Sequence, residues 1–370
     1  MREGKSMSLY KRVVRPVLFR FDAEKMHDRA IRTAERIGSS PRLREYLSRR
    51  YEFADTRLAS EVCGLHFPNP LGLAAGYDKN GRTIECMAAL GFGFVEIGSV
   101  SADPSQGNPK PRLFRAPKDR AIIVNYGLPN DGAEAIAALL ARKQIPVPLG
   151  INIVKTNRLR TEPEKAILAD YHRSVSLLKD SGDYLVLNLS CPNTETRSDY
   201  FADPVHSARL FERLSGLQIP CPVFLKISPL GGPHAIEGVL EAAAPFPFVS
   251  GFAFNLPPGK PVPLHIPAKR LDKMPGAVAG KPVENLINGA IRELYRRMDR
   301  KRYRIIGVGG IFSAEDAYRK IRLGCSLVQI LTALVYEGPN VVRTIKRGLA
   351  VLLERDGFSS VSEAVGTECE

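Results

Sequence analysis

The chain has 370 residues, of which 44% are hydrophobic, and a formal net charge of +14. No apolar run approaches the roughly 18 residues of a membrane-spanning helix, and the start lacks the apolar core and cleavage site of a secretory signal. The six cysteines are scattered without a CxxC pair, which argues against a zinc site, an iron–sulfur cluster and a disulfide framework, and favours a reducing cytoplasm.

The first predicted unit is a basic amphipathic extension, residues 1–60. It holds 15 basic and 8 acidic residues, so this segment carries half of the net positive charge of the chain. Apolar residues recur every fourth position from Leu9 to Phe21 with arginines between them, and Asp22 can cap a second helix. Helices this short are unstable alone, so they must pack on the main domain, on a membrane surface, or on both. The second predicted unit is residues 61–370.

Eight short apolar runs alternate with helical patterns in this second unit, as strands buried on both faces should. The runs are Leu71–Ala75, Phe94–Val100, Pro148–Val154, Tyr184–Ser190, Val223–Ser228, Val249–Asn255, Arg304–Ile311 and Cys325–Thr332. They predict an α/β fold, a (β/α)8 TIM barrel with a short N-terminal helical extension. A doubly wound sheet would need fewer strands and a GxGxxG loop, which the sequence lacks. Residues 101–130 and 256–283 are too long for simple crossovers, and we expect binding loops or lids there.

Polar residues occur where the predicted strands end, and in a TIM barrel the carboxyl ends of the strands form the catalytic face. Asn188, Cys191 and Asn193 place two amides and a thiol at one strand end, although a strand end with a merely buried cysteine explains them equally well. Lys226 lies inside an apolar run, so it either snorkels outward or meets an electron-rich partner such as the N1–C2=O region of a flavin. The pair Gly309–Gly310 ends strand seven, where backbone N–H groups can approach a phosphate.

Several motifs, in the same order along the chain, resemble the dihydroorotate dehydrogenase family. They are residues 72–81, 111–115, 188–194, 306–311 and 326–330, and residues 16–22 with His27 resemble the N-terminal extension of the class 2, quinone-linked branch. The resemblance covers about residues 9–350. It implies oxidation of dihydroorotate to orotate in pyrimidine biosynthesis, with FMN as cofactor. It also implies a quinone acceptor reached between the N-terminal helices and the barrel, and peripheral attachment to the inner face of the cell membrane.

The resemblance also implies a role for individual residues. It assigns FMN contacts to Ala75, Gly76, Lys79, Ser99, Asn152, Asn188, Lys226, Gly280, Gly309, Gly310 and Thr332. It assigns substrate contacts to Lys79, Asn125, Asn188, Asn193 and Asn255. Cys191 would remove a proton from ring carbon C5 while a hydride leaves C6 for the flavin. No metal and no nucleic acid is implied.

Some positions depart from the family pattern. Class 2 members carry Ser at the base position, whereas Cys191 resembles the class 1 branch. A thiol has an ordinary pKa of about 8.5, so it can act as a base after a modest shift, whereas a Ser hydroxyl would need a proton relay. An ungapped comparison puts Val124 where a substrate-binding Asn is expected, and a one-residue shift gives that role to Asn125. Leu256 and Leu331 replace a hydroxyl residue and an aromatic one.

Two alternatives follow from these departures and from the charge. The first is an FMN-dependent paralogue that keeps Cys191 but acts on a different small cyclic or enone substrate. The second is an RNA-modifying flavoprotein of the dihydrouridine synthase type, for which a net charge of +14 would suit RNA. Against the second, that family is expected to carry a helical RNA-binding domain after the barrel, and the segment after strand eight is too short for one.

Overall fold

The computed structural model describes residues 9–157, 163–191 and 200–369. At its centre is a closed barrel of eight parallel strands, and every one of them overlaps one of the eight predicted runs. The described strands are β1 (Ser60–Val62), β2 (Leu65–Phe67), β3 (Leu71–Leu73), β4 (Phe94–Val100), β5 (Leu113–Ala116), β6 (Ala121–Val124), β7 (Leu149–Ile153), β8 (Tyr184–Asn188), β9 (Val223–Ile227), β10 (Val249–Phe254), β11 (Ala277–Gly280), β12 (Arg304–Val308) and β13 (Leu327–Ile330). The barrel consists of β3, β4, β7, β8, β9, β10, β12 and β13, which confirms the predicted TIM barrel.

The barrel strands carry apolar residues on both faces, and they carry a glycine where a large neighbouring side chain needs room. All residues of β7 and β8 are buried, as parallel strands between a core and a layer of helices require. Gly150 of β7 pairs in register with Tyr184 of β8, and a Cβ at Gly150 would overlap the Tyr184 ring. The glycine therefore lets the tyrosine fill the barrel interior.

A hairpin of β1 and β2, which the sequence pattern did not predict, closes the amino-terminal end of the barrel. Val62 and Phe67 pack against a layer of interior side chains that includes Phe94 and Tyr184. The two residues of the turn, Cys63 and Gly64, both have positive φ, of 53° and 78°. Turns with two such residues suit the twist of a tight hairpin. The hairpin therefore covers this end, and the cavity described below lies at the opposite end of the barrel.

The helices surround the barrel and build the N-terminal extension. They are α1 (Arg15–Leu18), α2 (Ala23–Gly38), α3 (Pro41–Tyr51), α4 (Ile84–Ala89), α5 (Ala133–Leu140), α6 (Glu164–Leu178), α7 (Pro204–Ser215), α8 (Gly232–Ala243), α9 (Ala268–Leu271), α10 (Glu284–Arg297), α11 (Ala314–Arg322), α12 (Thr332–Glu337) and α13 (Val341–Arg355). None of the helices in the described ranges combines the length and the apolar character that a membrane crossing requires.

The N-terminal extension contains the two predicted helical segments and one more. A π-helical turn, Tyr10–Val14, runs into α1, and the Asp22 carboxylate caps α2 by accepting from the Lys25 N–H at 2.8 Å. The third helix, α3, begins at Pro41 and was not predicted from the sequence. Because α2 packs on α3, α4 and β5, the extension covers one side of the barrel mouth. The predicted boundary at residue 60 stays a prediction.

The two long segments after the second and sixth barrel strands are not simply irregular loops. Part of each joins a three-stranded antiparallel sheet in the order β11, β6, β5. Asp119 links the segments further, since its carboxylate accepts from the His265 N–H and from Nδ1 of the His265 ring at 2.7 Å. This sheet stands over the barrel mouth and forms a wall of the cavity described next.

Candidate active site

A cavity of about 680 Å³ extends from the barrel mouth to the N-terminal helices. The carboxyl ends of the barrel strands line one end of it. The other end is lined by apolar and small residues of α2 and α3, among them Met26, Ala30, Ala34, Ile37 and Leu47. A ligand at the strand ends and a second ligand between the helices would therefore occupy one continuous space.

Most of the predicted site residues line this cavity. They are Ala75, Gly76, Lys79, Ser99, Asn188, Cys191, Lys226, Asn255, Gly280, Gly309, Gly310 and Thr332. Asn193 lies outside the described residues. Asn152 is fully buried in β7 and lies below the cavity surface, in contact with residues that line it. Asn125 is described but is not among the lining residues.

A chain of amide and hydroxyl groups crosses the barrel mouth around Asn188. The Asn188 amide nitrogen donates to the Ser99 hydroxyl at 3.1 Å, and its oxygen accepts from the Asn255 amide at 2.8 Å. The Ser99 hydroxyl donates to the Asn152 oxygen at 2.5 Å. The Tyr171 hydroxyl holds the strand end by donating to the Asn188 carbonyl at 2.6 Å. These bonds fix the direction in which each amide presents its donor and acceptor, as recognition of a polar ring requires.

Glu96 lies under this row of amide and hydroxyl groups and was not predicted from the sequence. It is fully buried in β4, and its carboxylate accepts from Asn152 at 2.8 Å, Lys226 at 3.2 Å and Gln329 at 2.6 Å. Lys226 therefore points into the barrel rather than outward, which settles the alternative that its sequence position left open. A single carboxylate inside an apolar strand was the signal that could have revealed Glu96.

Lys79 connects the barrel to the N-terminal extension. Its loop is fixed by Asp78, whose carboxylate accepts from the N–H groups of residues 81, 82 and 83. The Lys79 ammonium donates to Nε2 of His27 in α2 at 3.3 Å and lies 3.9 Å from the centre of the Tyr126 ring. Burial lowers the pKa of Lys79 to about 8, and burial together with Lys79 lowers the pKa of His27 well below its ordinary value. His27 is thus a neutral acceptor at neutral pH.

Part of the cavity wall is apolar. The described lining includes Val124, Leu128, Pro129, Phe254 and Leu256. Val124 and Leu256, together with Leu331 elsewhere in the lining, are positions at which the sequence departs from the family pattern.

Val124 and Asn125 lie in different environments. Val124 lines the cavity, whereas the Asn125 carboxamide oxygen accepts from the Asn108 amide at 3.1 Å. This placement agrees with the ungapped comparison, and a substrate contact by Asn125 stays a prediction.

The cavity has the donors that a phosphorylated flavin needs. Gly309 and Gly310 have φ values of 90° and 79°, a turn that presents backbone rather than side chains to the cavity. The Thr332 hydroxyl lies in the lining at the start of α12. At the ring end, Lys226 and Asn188 line the cavity. The residues present therefore fit FMN, with the phosphate near the glycines and the ring near the lysine.

Comparisons with known proteins agree with this geometry. The family model described as dihydroorotate dehydrogenase matches residues 57–353. A dihydroorotate dehydrogenase (quinone) of Natronomonas pharaonis is 39% identical over 98% of this chain and 100% of its own, and one of Roseiflexus sp. is 40% identical over 97% and 98%. Among solved structures, the ligand-free DHODH of Eimeria tenella has a TM-score of 0.82 at 28% identity and covers 94% of this chain and 100% of its own. The complex of the Eimeria tenella enzyme with ferulenol has a TM-score of 0.79 at 27% identity over 94% and 96%.

Proposed function

The chain belongs to the dihydroorotate dehydrogenase family, and we propose that it is a class 2 enzyme that oxidises dihydroorotate to orotate and reduces a quinone. The reaction is the redox step of pyrimidine biosynthesis. The observation that carries the proposal is the single cavity, because it joins the Cys191 thiol at the strand ends to an apolar chamber between the N-terminal helices. When bound, FMN supplies the chemistry between the two ends: it accepts a hydride from substrate and delivers reducing equivalents to the quinone.

The residues around the barrel mouth have different roles in dihydroorotate oxidation. The Cys191 thiolate removes the proton from C5 of the ring. The amides of Asn188 and Asn255 bind the polar groups of the ring, and the Lys79 ammonium binds its negative charge. Lys226 holds the pyrimidine edge of the cofactor; the remaining predicted cofactor contacts are Ala75, Gly76, Ser99, Asn152, Asn188, Gly280, Gly309, Gly310 and Thr332. The further predicted substrate contacts are Asn125 and Asn193.

The N-terminal extension, residues 1–60, gives the quinone its access and docks the protein peripherally on the inner face of the cell membrane. Leu9, Val13, Val17 and Phe21 are exposed by 49–73%, although each is apolar. Exposed arginines lie between them. An apolar stripe with a basic surround suits the interface of an anionic bilayer.

Anaerobic mixing with dihydroorotate tests the function directly. We expect the purified protein to be yellow and its flavin absorbance band to bleach on mixing. A protein that is colourless and takes up no FMN would contradict every flavoenzyme interpretation. A protein that holds FMN but does not bleach would instead favour the paralogue with another cyclic or enone substrate, since the apolar wall at Val124 and Leu256 lies beside the polar amides.

Introducing an amide at Val124 should strengthen dihydroorotate binding. Val124→Asn places a donor and acceptor at a position that lines the cavity, and one added hydrogen bond of about 1 kcal/mol corresponds to a KM roughly fivefold lower. Steady-state kinetics with a saturating acceptor measure this KM. The matched variant is Asn125→Ala, which removes the amide bonded to Asn108. If Asn125→Ala raises KM and Val124→Asn changes nothing, the substrate contact belongs to Asn125.

A further inference from the structure

Glu96 is a buried charge to which the proposed reaction assigns no role. It is 0% exposed in the third position of β4, and it does not belong to the cavity lining among the described residues. Its Oε1 accepts from Asn152 and Lys226, and its Oε2 accepts from Gln329. All three described partners are donors, which matches the acceptor oxygens of a carboxylate.

The partners of Glu96 come from three other barrel strands and reach the cofactor end of the cavity. Lys226 of β9 and Gln329 of β13 line the cavity, and Asn152 of β7 accepts from Ser99, which also lines it. The carboxylate thus ties four strands together directly below the place proposed for the flavin ring. An uncompensated ammonium at Lys226 would be costly at this depth, and Glu96 is its ion-pair partner at 3.2 Å.

We propose that Glu96 is a positioning residue that holds Lys226 and Asn152 under the cofactor and, through its negative charge, lowers the midpoint potential of the bound flavin. This role of Glu96 rests on the proposed FMN site. An ammonium beside the N1–C2=O edge stabilises the negative charge that this edge gains on reduction. A carboxylate next to that ammonium offsets part of its field, since opposite charges this close act nearly as a dipole. Glu96 therefore keeps Lys226 in place without letting it over-stabilise the reduced cofactor.

The test is the midpoint potential of Glu96→Gln, a variant of the same shape without the charge. We expect it to keep FMN and to shift the potential upward by about 30 mV or more. For a two-electron couple that shift is a tenfold change in the preference for reduced over oxidised flavin. The matched control is Tyr184→Phe, because it removes a buried hydroxyl near Glu96 and Gln329 without changing any charge. Its potential should equal that of the wild type.

The outcomes separate this inference from the proposed function. A wild-type protein without FMN contradicts the proposed function itself, whereas a loaded Glu96→Gln protein with an unchanged or lower potential overturns the role of Glu96. If Glu96→Gln does not hold FMN, Lys226→Gln is compared with the double variant, in which no buried charge of the pair remains. We expect the flavin midpoint potential of the double variant to be higher than that of Lys226→Gln. If Lys226→Gln and the double variant have equal midpoint potentials, Glu96 has a purely structural role and the proposal is overturned. The same conclusion follows if all these variants fold but lose FMN.

Discussion

Cys191→Ala is expected to slow dihydroorotate oxidation severely and to leave FMN bound. Cys191 lies three residues after the end of β8, in the same cavity lining as Asn188 and Asn255, whose amides we propose for ring binding. Without a base, C5 keeps its proton and the hydride cannot leave C6 at a useful rate. General-base catalysis contributes about 10²- to 10⁴-fold, so we expect a loss in that range. The rate of flavin bleaching under anaerobic conditions measures it, and the FMN-to-protein ratio shows that the cofactor remains.

Cys86→Ala is the matched control for this loss. Cys86 is a second thiol in the cavity lining, but it lies in α4, near the apolar chamber, and burial raises its pKa to about 12. A thiol that stays protonated cannot serve as a base near neutral pH, so the Cys86 variant should bleach as fast as the wild type. Wild-type bleaching in Cys191→Ala would mean that another group removes the proton.

The barrel could be predicted because its strands lie between two apolar layers. A strand in that position carries apolar residues on both faces, so it appears in the sequence as a short continuous run. The runs were too long at their carboxyl ends: Arg304–Ile311 becomes β12 (Arg304–Val308), and Leu71–Ala75 becomes β3 (Leu71–Leu73). In both cases the extra residues turn away at glycine-containing loops and line the cavity.

The elements that were missed depend on partners far away in the chain. In β11, Val278 pairs with Ile123 of β6, more than 150 residues earlier in the chain. The local sequence of either strand does not indicate this pairing. Glu96 is similar, since Gln329, one of its donors, lies 233 residues away. A carboxylate is rarely found in an apolar strand, because burying a charge without partners is costly. The closed barrel brings three donors to Glu96, and these hydrogen bonds offset the cost.

Removing the carboxylate of Glu24 should impair quinone reduction much more than reduction of a soluble dye. Glu24 lies in the first turn of α2, and both it and Arg112 are buried. The Arg112 Nε and Nη2 atoms donate to one Glu24 oxygen at 3.0 and 2.8 Å. Glu24→Ala leaves a buried guanidinium without its counter-charge, which costs about 3–5 kcal/mol. Because the pair joins α2 to the segment leading into β5, we expect α2 to loosen and the chamber between the helices to open.

Glu45→Ala is the matched control, because Glu45 and Arg49 form an ion pair in α3 whose side chains are 63% and 79% exposed. Exposed pairs contribute little, so both acceptors should be reduced normally and the thermal unfolding midpoint should hardly change. Equal loss with quinone and dye in Glu24→Ala would count against a separate quinone chamber.

The pH dependence of the Glu24–Arg112 pair gives a second measurement. Burial raises the pKa of Glu24, but the hydrogen bonds from Arg112 and Lys110 outweigh burial and hold the pKa below its ordinary value. The stabilisation from this group is therefore complete above the ordinary carboxyl pKa and is lost as the pH falls through the lowered value. In acid, the wild-type protein should approach the behaviour of Glu24→Ala, so the difference in unfolding midpoint between the two proteins should shrink with falling pH.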